Sequence, residues 1–407
     1  MEPTLSGFNV VGIPAEFILF AVTLGGVALF HHRTLQIALV GLAAIAVYRF
    51  AFTGFAEGAG VAGLGAHLAH EWVVLANLGL LLLGFALLAR HFEQSSLPDL
   101  APDFLPNGWL GGLTLLALVF VLSGFLDNIA AALIGATVAR HIYQGKVQIA
   151  FLAAIVAASN AGGAGSVVGD TTTTMMWIDG KSPLDVVHGY VGAIAAFAVL
   201  SVPAALAQEK FQPMLRDDLG GFRVDWRRLV IVGIILLAAV GTNIVVNETA
   251  PHLSDQLPVL GLAVWIAILA TAPLRRPDWR VLPEAGKGAL FLLALVLCAS
   301  FMPVEALPAA SWHSAFGIGL ISSVFDNIPL TTLALAQGGY DWGVLAYAVG
   351  FGGSLLWFGS SAGVAVSNLF PDARSAVAWV RGAWWLIPAY VVGFAALLLI
   401  LGWRPEL

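Results

Sequence analysis

Ser123-Gly124-Phe125-Leu126-Asp127-Asn128-Ile129 closes one uncharged apolar run and opens another, and Ser322-Ser323-Val324-Phe325-Asp326-Asn327-Ile328 repeats the arrangement about 200 residues later. An Asp-Asn pair in sequence fit for hydrocarbon is costly and marks an ion or substrate path by default. The two stretches read as twin tips of one buried site.

Working outward, 59% of the 407 residues are hydrophobic and only 10% charged, and the mean hydropathy is +0.90. Such a chain is a polytopic membrane protein, with the lipid bilayer as its surroundings. The net charge of −6 is small, and no basic run is interleaved with aromatics, so nucleic acid is excluded as a partner. Cys298 is the only cysteine, which leaves no intrachain disulfide or Cys-based metal cluster and reads as apolar filler. The opening MEPTLSGFNV lacks the basic stretch of a cleaved signal, so the first apolar segment is expected to remain a span.

A span needs about 20 apolar residues. Candidates are 11–30, 35–55 and 72–89, followed by 108–140, where a 19-residue apolar arm reaches Asp127-Asn128 and about 11 apolar residues follow before Arg140. Those 11 are too few to cross, which predicts a re-entrant hairpin. Residues 147–178 are too long for one span and are interrupted at 160–169 by Asn-Ala-Gly-Gly-Ala-Gly-Ser-Val-Val-Gly, predicting a broken helix. A span at 186–207 and a charged linker at 208–228 follow. The order then recurs: spans at 229–247, 257–272 and 288–304, a hairpin at 309–337, a segment at 342–370 broken at Gly359–Gly363, and a span at 383–403. Asp127 and Asp326 are offset by 326 − 127 = 199, and Asp170 and Asn368 by 368 − 170 = 198. The near-constant offset predicts a duplication with repeats at 1–207 and 229–407.

With five crossings per half, 15 of the 18 Lys and Arg residues fall on one side, two (Lys181 and Arg404) on the other, and Arg49 within a span. The first side is therefore expected to be cytoplasmic, with the linker there and both termini outside. An odd number of crossings inverts the second half. The fold expected is all-α: two inverted repeats, each with about five spanning helices, a re-entrant hairpin and a broken helix, an architecture of secondary transporters.

Asp127 and Asp326 stand where an N-cap carboxylate would accept helix N–H groups. Capping alone is one explanation, but Ser or Asn would cap without the roughly 2.5–3.5 kcal/mol cost of a charged Asp in the bilayer. Cation binding or proton exchange is the other. The broken helices add Ser159, Asn160, Ser166, Asp170, Thr171 and Thr172, then Ser360, Ser361, Ser367 and Asn368, with unwound carbonyls as further oxygens for a hard cation. Asp127, Asp170 and Asp326 are the expected cation-binding carboxylates, and no cofactor is expected. Arg49 is expected to snorkel rather than pair with Glu57. Glu16, Asn243, Asn247, Glu248 and Glu305 read as interfacial, His31, His32, His67, His70, His188 and His313 as largely solvated, and Trp109, Trp312, Trp384 and Trp385 as interface anchors.

Asn160-Ala-Gly-Gly-Ala, Gly169-Asp170-Thr-Thr-Thr-Thr-Met-Met-Trp177 and Phe358-Gly-Ser-Ser-Ala-Gly-Val-Ala365, with the Asp-Asn-Ile tips, resemble the NhaD-type sodium/proton antiporters of the ion transporter superfamily. The resemblance to the superfamily covers essentially the whole chain. It implies exchange of Na⁺ or Li⁺ for H⁺ across the inner membrane, and carries over to Asp127, Asn128, Asn160, Asp170, Thr171, Thr172, Asp326, Asn327, Ser360 and Ser361. It also suggests a homodimer formed through the early spans of each half. Gly165-Ser166-Val167 departs from the family's aromatic-Ser-Pro at that point, which bears on ion selectivity. A permease for citrate or arsenite is the alternative, since helix N-termini also favour anions. An enzyme is disfavoured, because no HExxH, GxSxG or GxxxxGK[ST] set stands in a suitable context.

Overall fold

The computed structural model describes residues 8–10, 12–30, 33–55, 58–97, 105–215, 224–250, 253 and 256–405. His31, His32, Glu57 and the side chains of Asn243, Asn247 and Glu248 lie outside the described residues. Among the described residues, apart from a two-residue ribbon pairing Asn9–Val10 with Ile13–Pro14, the regular elements are helical.

The first part of the chain forms α1 (Ala15–Leu29), α2 (Thr34–Tyr48, extended by a π-turn at Arg49–Thr53), α3 (Gly60–Glu93), α4 (Trp109–Ser123), α5 (Asn128–Ile142), α6 (Ile149–Gly163), α7 (Thr171–Ile178), α8 (Pro183–Val187) and α9 (Gly189–Phe211). The second forms α10 (Trp226–Thr249), α11 (Val259–Thr271), α12 (Leu282–Ser300), α13 (Trp312–Ser322), α14 (Asn327–Gln337), α15 (Trp342–Gly352), α16 (Ser361–Leu369), α17 (Ala376–Gly382) and α18 (Leu386–Ile400). Among the described residues, four helical segments are long and apolar enough to cross a membrane: Thr34–Thr53, Gly60–Glu93, Pro183–Phe211 and Trp279–Ser300. The pair α17 and α18, bent by 64°, makes a fifth if counted as one span. The chain is a multi-pass membrane protein.

Several boundaries differ from expectation. The span expected at 72–89 is the middle of the 34-residue α3. The arms of the first hairpin are 15 and 15 residues, not the long and short arm expected, and those of the second are 11 and 11. Arg140 and His141, counted as the end of the apolar run, sit in the last turn of α5, where the Arg140 charge complements the exposed carbonyls. Every arm is shorter than the ~20 residues that span a bilayer.

The two parts of the chain interleave. α12 packs on α2 and α3, and α3 also packs on α10 and α11. Arg49, expected to snorkel, donates instead to the Gly54 carbonyl at 2.6 Å and to the Phe301 carbonyl. It thereby ties the end of α2 to the end of α12, because a guanidinium can satisfy carbonyls left open at helix C-termini. His67 is buried rather than solvated, with Nε2 3.0 Å from Ser300 Oγ; Glu16 and Trp385 are buried as well. Cys298 is buried in α12.

At the opposite ends of α3 and α12, Arg90 pairs with Glu93 and Asp278, and Asp225 pairs with Arg275 and Arg228. The Arg275 guanidinium holds the Asp225 carboxyl below the usual carboxylate range. Lys181 and Arg404, the two charges that sequence sets apart from the rest, come together elsewhere. The Lys181 ammonium lies 4.6 Å from the centre of the Trp342 ring, and the Arg404 N–H donates to Asp341 Oδ2 at 2.9 Å.

Candidate ion site at two helix breaks

Both Asp-Asn stretches turn a corner between two helices, and both aspartates are N-caps with almost the same backbone: φ −52°, ψ 139° at Asp127 and φ −52°, ψ 142° at Asp326. Facing them are two interrupted helices. α6 stops at Gly163 and α7 starts at Thr171; α15 stops at Gly352 and α16 starts at Ser361. The breaks are therefore 164–170 and 353–360, not 160–169 and 359–363. Asn160 is still helical, and Gly363 lies inside α16, where a β-carbon would collide with the Trp357 carbonyl.

Glycine explains why the breaks sit where they do. A β-carbon at Gly162 would overlap the Phe120 carbonyl oxygen, and one at Gly352 the Gly319 carbonyl oxygen, so each helix touches its hairpin backbone to backbone. Gly169 and Gly359 likewise abut the carbonyls of Ser123 and Ser323. Asp170 caps α7 by accepting the Thr172 N–H at 3.2 Å, and Ser360 caps α16 by accepting the Gly363 N–H at 3.3 Å. Both caps are extended, with φ −142°. The counterpart of Asp170 is thus Ser360, 190 residues on, and not Asn368. Asn368 is exposed in the last turn of α16, where it accepts from Arg374 at 2.7 Å.

The elements cross over between the two parts of the chain: α16 packs on α5 and α6, and α14 packs on α7. A buried hydrogen-bond chain follows that exchange. Asn128 Nδ2 donates to Asn160 Oδ1 at 3.1 Å; Asn160 Nδ2 donates to Ser354 Oγ at 2.9 Å and Ser360 Oγ at 3.0 Å. Asn327 Nδ2 reaches Asp170 Oδ2 at 3.5 Å, the outer limit of a hydrogen bond. Asn327 thus points at the first helix break, while Asn128 reaches the second only through the helical Asn160.

The carboxylates do not share one chamber. Asp127, Asp170, Thr171 and Thr174 line a cavity of about 290 Å³ walled by α3 and α12, including Leu78, Leu82, Phe85 and Leu292, and reaching Glu93. Asp326 and Ser361 line a second cavity, of about 160 Å³, with Leu24, Ala28, Thr34 and Phe291. Among the described residues no three His, Cys, Asp or Glu side chains gather as a metal-binding group, and Asp326 lines a different cavity from the one that Asp127 and Asp170 line. α2 and α12 pack together and share an end at Arg49 and Phe301, which puts Thr34 toward the start of α12. Both cavities accordingly extend toward the end of the bundle that carries Arg90 and Asp278.

The remaining candidates fall into distinct roles. Asp326 Oδ1 accepts the Ile328 N–H at 3.1 Å and its Oδ2 accepts the Ser361 hydroxyl at 3.2 Å. Ser159 and Ser367 hydroxyls return to carbonyls of their own helices, Val156 and Val364, a structural use. Ser166 Oγ donates to the Gly124 carbonyl at 2.7 Å, locking the first break onto its hairpin. Thr172 is buried beside Asp170 through its backbone.

Some of the free carbonyls expected in the first break are occupied. Thr173 Oγ1 donates to Ser166 and Asp170 carbonyls at 2.5 and 2.8 Å, and Thr174 Oγ1 to those of Val167 and Asp170 at 2.8 and 2.9 Å. Sequence reasoning passed over Ser354, though a serine within the apolar run 342–358 was a usable signal. It also missed Trp379, whose indole N–H donates to the Ser354 carbonyl at 3.1 Å; nothing local announces that contact.

A family model described as citrate transporter (CitMHS) matches residues 17–352. The chain is 29% identical over 288 residues to sodium/proton antiporter 1 of Arabidopsis thaliana, covering 61% of this chain and 49% of that one. The Na⁺/H⁺ antiporter NhaD of Vibrio parahaemolyticus is 25% identical over 342 residues, covering 71% of this chain and 79% of its own, and that of Halomonas elongata 24% identical over 339, covering 71% and 66%. The chain spans about half the length of the Arabidopsis relative. These are transporters and not enzymes. The chain belongs to the citrate transporter family of the ion transporter superfamily, and the relatives it resembles there are sodium/proton antiporters, including those of the NhaD type.

Proposed function

We propose that the chain is a secondary transporter exchanging Na⁺ or Li⁺ for H⁺ across the inner membrane by alternating access. What carries the reading is the placement of Asp127 and Asp170 together on one cavity, at a hairpin tip and a helix break, with Asp326 in the matching position on a second. A carboxylate walled by leucines is stable only with a proton or a cation, and competition of the two for the same oxygens is itself exchange. Asp127, Asp170 and the Thr171 hydroxyl would hold the cation in the first half-site; Asp326 and Ser361 would do so in the second. Asn128, Asn160, Asn327 and Ser360 would position them and couple the halves.

The relatives, sodium/proton antiporters by name, support the same substrates. In this reading 1–207 and 229–407 are inverted repeats and the short arms α4–α5 and α13–α14 are re-entrant. The linker 208–228 and the Arg90–Asp278 end are cytoplasmic, and both termini are outside. A homodimer through the early spans is part of the same proposal.

The test is Na⁺-driven dissipation of an imposed pH gradient in vesicles containing the purified chain. Wild type is expected to respond and Asp127→Asn to lose most of the response; equal activity would remove Asp127 from the mechanism. Citrate transport is the second reading, favoured by the description of the family model. Against it, no Lys, Arg or His lines either cavity, leaving a tricarboxylate facing carboxylates alone. Labelled citrate uptake that needs no Na⁺ would reverse the order of the two.

A further inference from the structure

The first cavity is larger and more apolar than a bare metal cation requires. Its oxygen ligands, Asp127, Asp170, Thr171 and Thr174, belong to the hairpin tip and the start of α7, while Leu78, Leu81, Leu82, Phe85, Leu133 and Leu292 supply walls along α3, α5 and α12. Hard cations gain nothing from such walls, since their ligands are oxygens. A volume of about 290 Å³, mostly apolar with a few convergent polar groups, is instead the composition of a small-molecule pocket, close to the lower size bound of ~300 Å³. The sign of the charge is also set. No Lys or Arg is among the lining residues, and the Arg90 guanidinium near the Glu93 end of the cavity is turned to Glu93 and Asp278.

We infer that this cavity binds monovalent organic cations with an apolar body, of the n-alkylammonium class, in competition with the metal cation. The ammonium donates its hydrogen bonds to the Asp127 and Asp170 carboxylates, and the alkyl chain lies between α3 and α12. An ammonium has three donors and asks for fewer oxygens than a metal ion does. Each methylene removed from water should tighten binding about fourfold. The inference rests on the reading of Asp127 and Asp170 as the cation-binding pair.

Gly288 provides the discriminating variant. It lines the α12 wall, and a β-carbon built there meets no heavy atom within 4 Å, so a larger side chain can be introduced beside the cavity without displacing backbone, and Gly288→Leu is built to narrow it. The full chain in phosphatidylcholine nanodiscs is loaded with ²²Na⁺ and titrated with methyl- to octylammonium chloride at fixed ionic strength. The half-displacing concentration is expected to fall about fourfold per methylene until the cavity is full. Gly288→Leu should weaken hexylammonium at least tenfold while leaving ²²Na⁺ and methylammonium unchanged. A flat series, or the same steep series in Gly288→Leu as partition into lipid would give, overturns the inference and leaves the sodium reading intact. If ²²Na⁺ does not bind, calorimetry with hexylammonium on wild type and Asp170→Asn separates the two. Heat lost in the variant keeps the inference and removes sodium; absence of heat in both removes the inference as well.

Discussion

The two half-sites share a skeleton and differ in charge. Asp127 and Asp326 cap α5 and α14 with matching dihedrals, and Gly162 and Gly352 bring the broken helices against their hairpins in the same way. At the second cap the chemistry parts company: Asp170 in one, Ser360 in the other. Backbone geometry is thus held constant while one carboxylate is removed. The first half-site carries two carboxyl groups on one cavity; the second has a single acid whose oxygens accept the Ile328 N–H and the Ser361 hydroxyl.

The largest effect expected from that comparison is on Asp170. Asparagine remains a good N-cap, so Asp170→Asn should fold, yet it strips the charge from a buried, hydrogen-bonded site and should cost roughly 100-fold in Na⁺/H⁺ exchange rate. Ser360→Ala loses one cap and one acceptor for Asn160, each about 1 kcal/mol, and should cost about 30-fold or less. Exchange rates in vesicles for the two variants side by side decide it. Equal losses would mean that the half-sites are chemically equivalent despite their sequence.

The next effect tests the shared skeleton rather than the difference. Gly162→Ala and Gly352→Ala each put a methyl group against a carbonyl of the paired hairpin, Phe120 and Gly319 respectively. Forced backbone shifts of this kind cost about 1–3 kcal/mol, so both should lower the thermal midpoint of the purified protein, and by similar amounts. If only one is sensitive, the likeness of the two hairpin contacts is superficial.

These residues also show how far sequence could reach. The Asp-Asn tips were legible because a carboxylate in an apolar run has few structural excuses. The exact breaks were not, because glycine serves close packing as readily as unwinding: Gly162 and Gly363 are helical contacts, while Gly169 and Gly359 are in the breaks. The pairing of Asp170 with Asn368 followed a constant offset that the fold does not keep. Asp170 follows Asp127 by 43 residues, and Ser360 follows Asp326 by 34. Most of the shortfall is in α14 and α15, each 11 residues against 15 in α5 and α6. Division of the carboxylates between two cavities depends on α1, α2, α3 and α12, whose apolar sequences carry no record of which cap they face.

The smallest effect comes from a brace present in one half only. Thr173 ties α7 back to the Ser166 and Asp170 carbonyls, and Thr174 does the same through Val167; the positions matching them relative to Ser360 are Gly363 and Val364, which have no hydroxyl. A charged cap gives a reason for the brace. Under the proposed function Asp170 would carry charge beside Asp127 on one cavity and gain from being held in place, whereas a serine cap carries no charge. Thr173→Val keeps the shape and removes one hydrogen-bonding group, worth about 1 kcal/mol. Hydrogen exchange within 164–170 should therefore quicken by about fivefold, while 353–360 keeps its wild-type rates. The converse substitution, Gly363→Thr, cannot restore symmetry, because a β-carbon there collides with the Trp357 carbonyl. If exchange in both breaks rises together in Thr173→Val, the breaks open as one cooperative unit, and the asymmetry of charge is not matched by an asymmetry of rigidity.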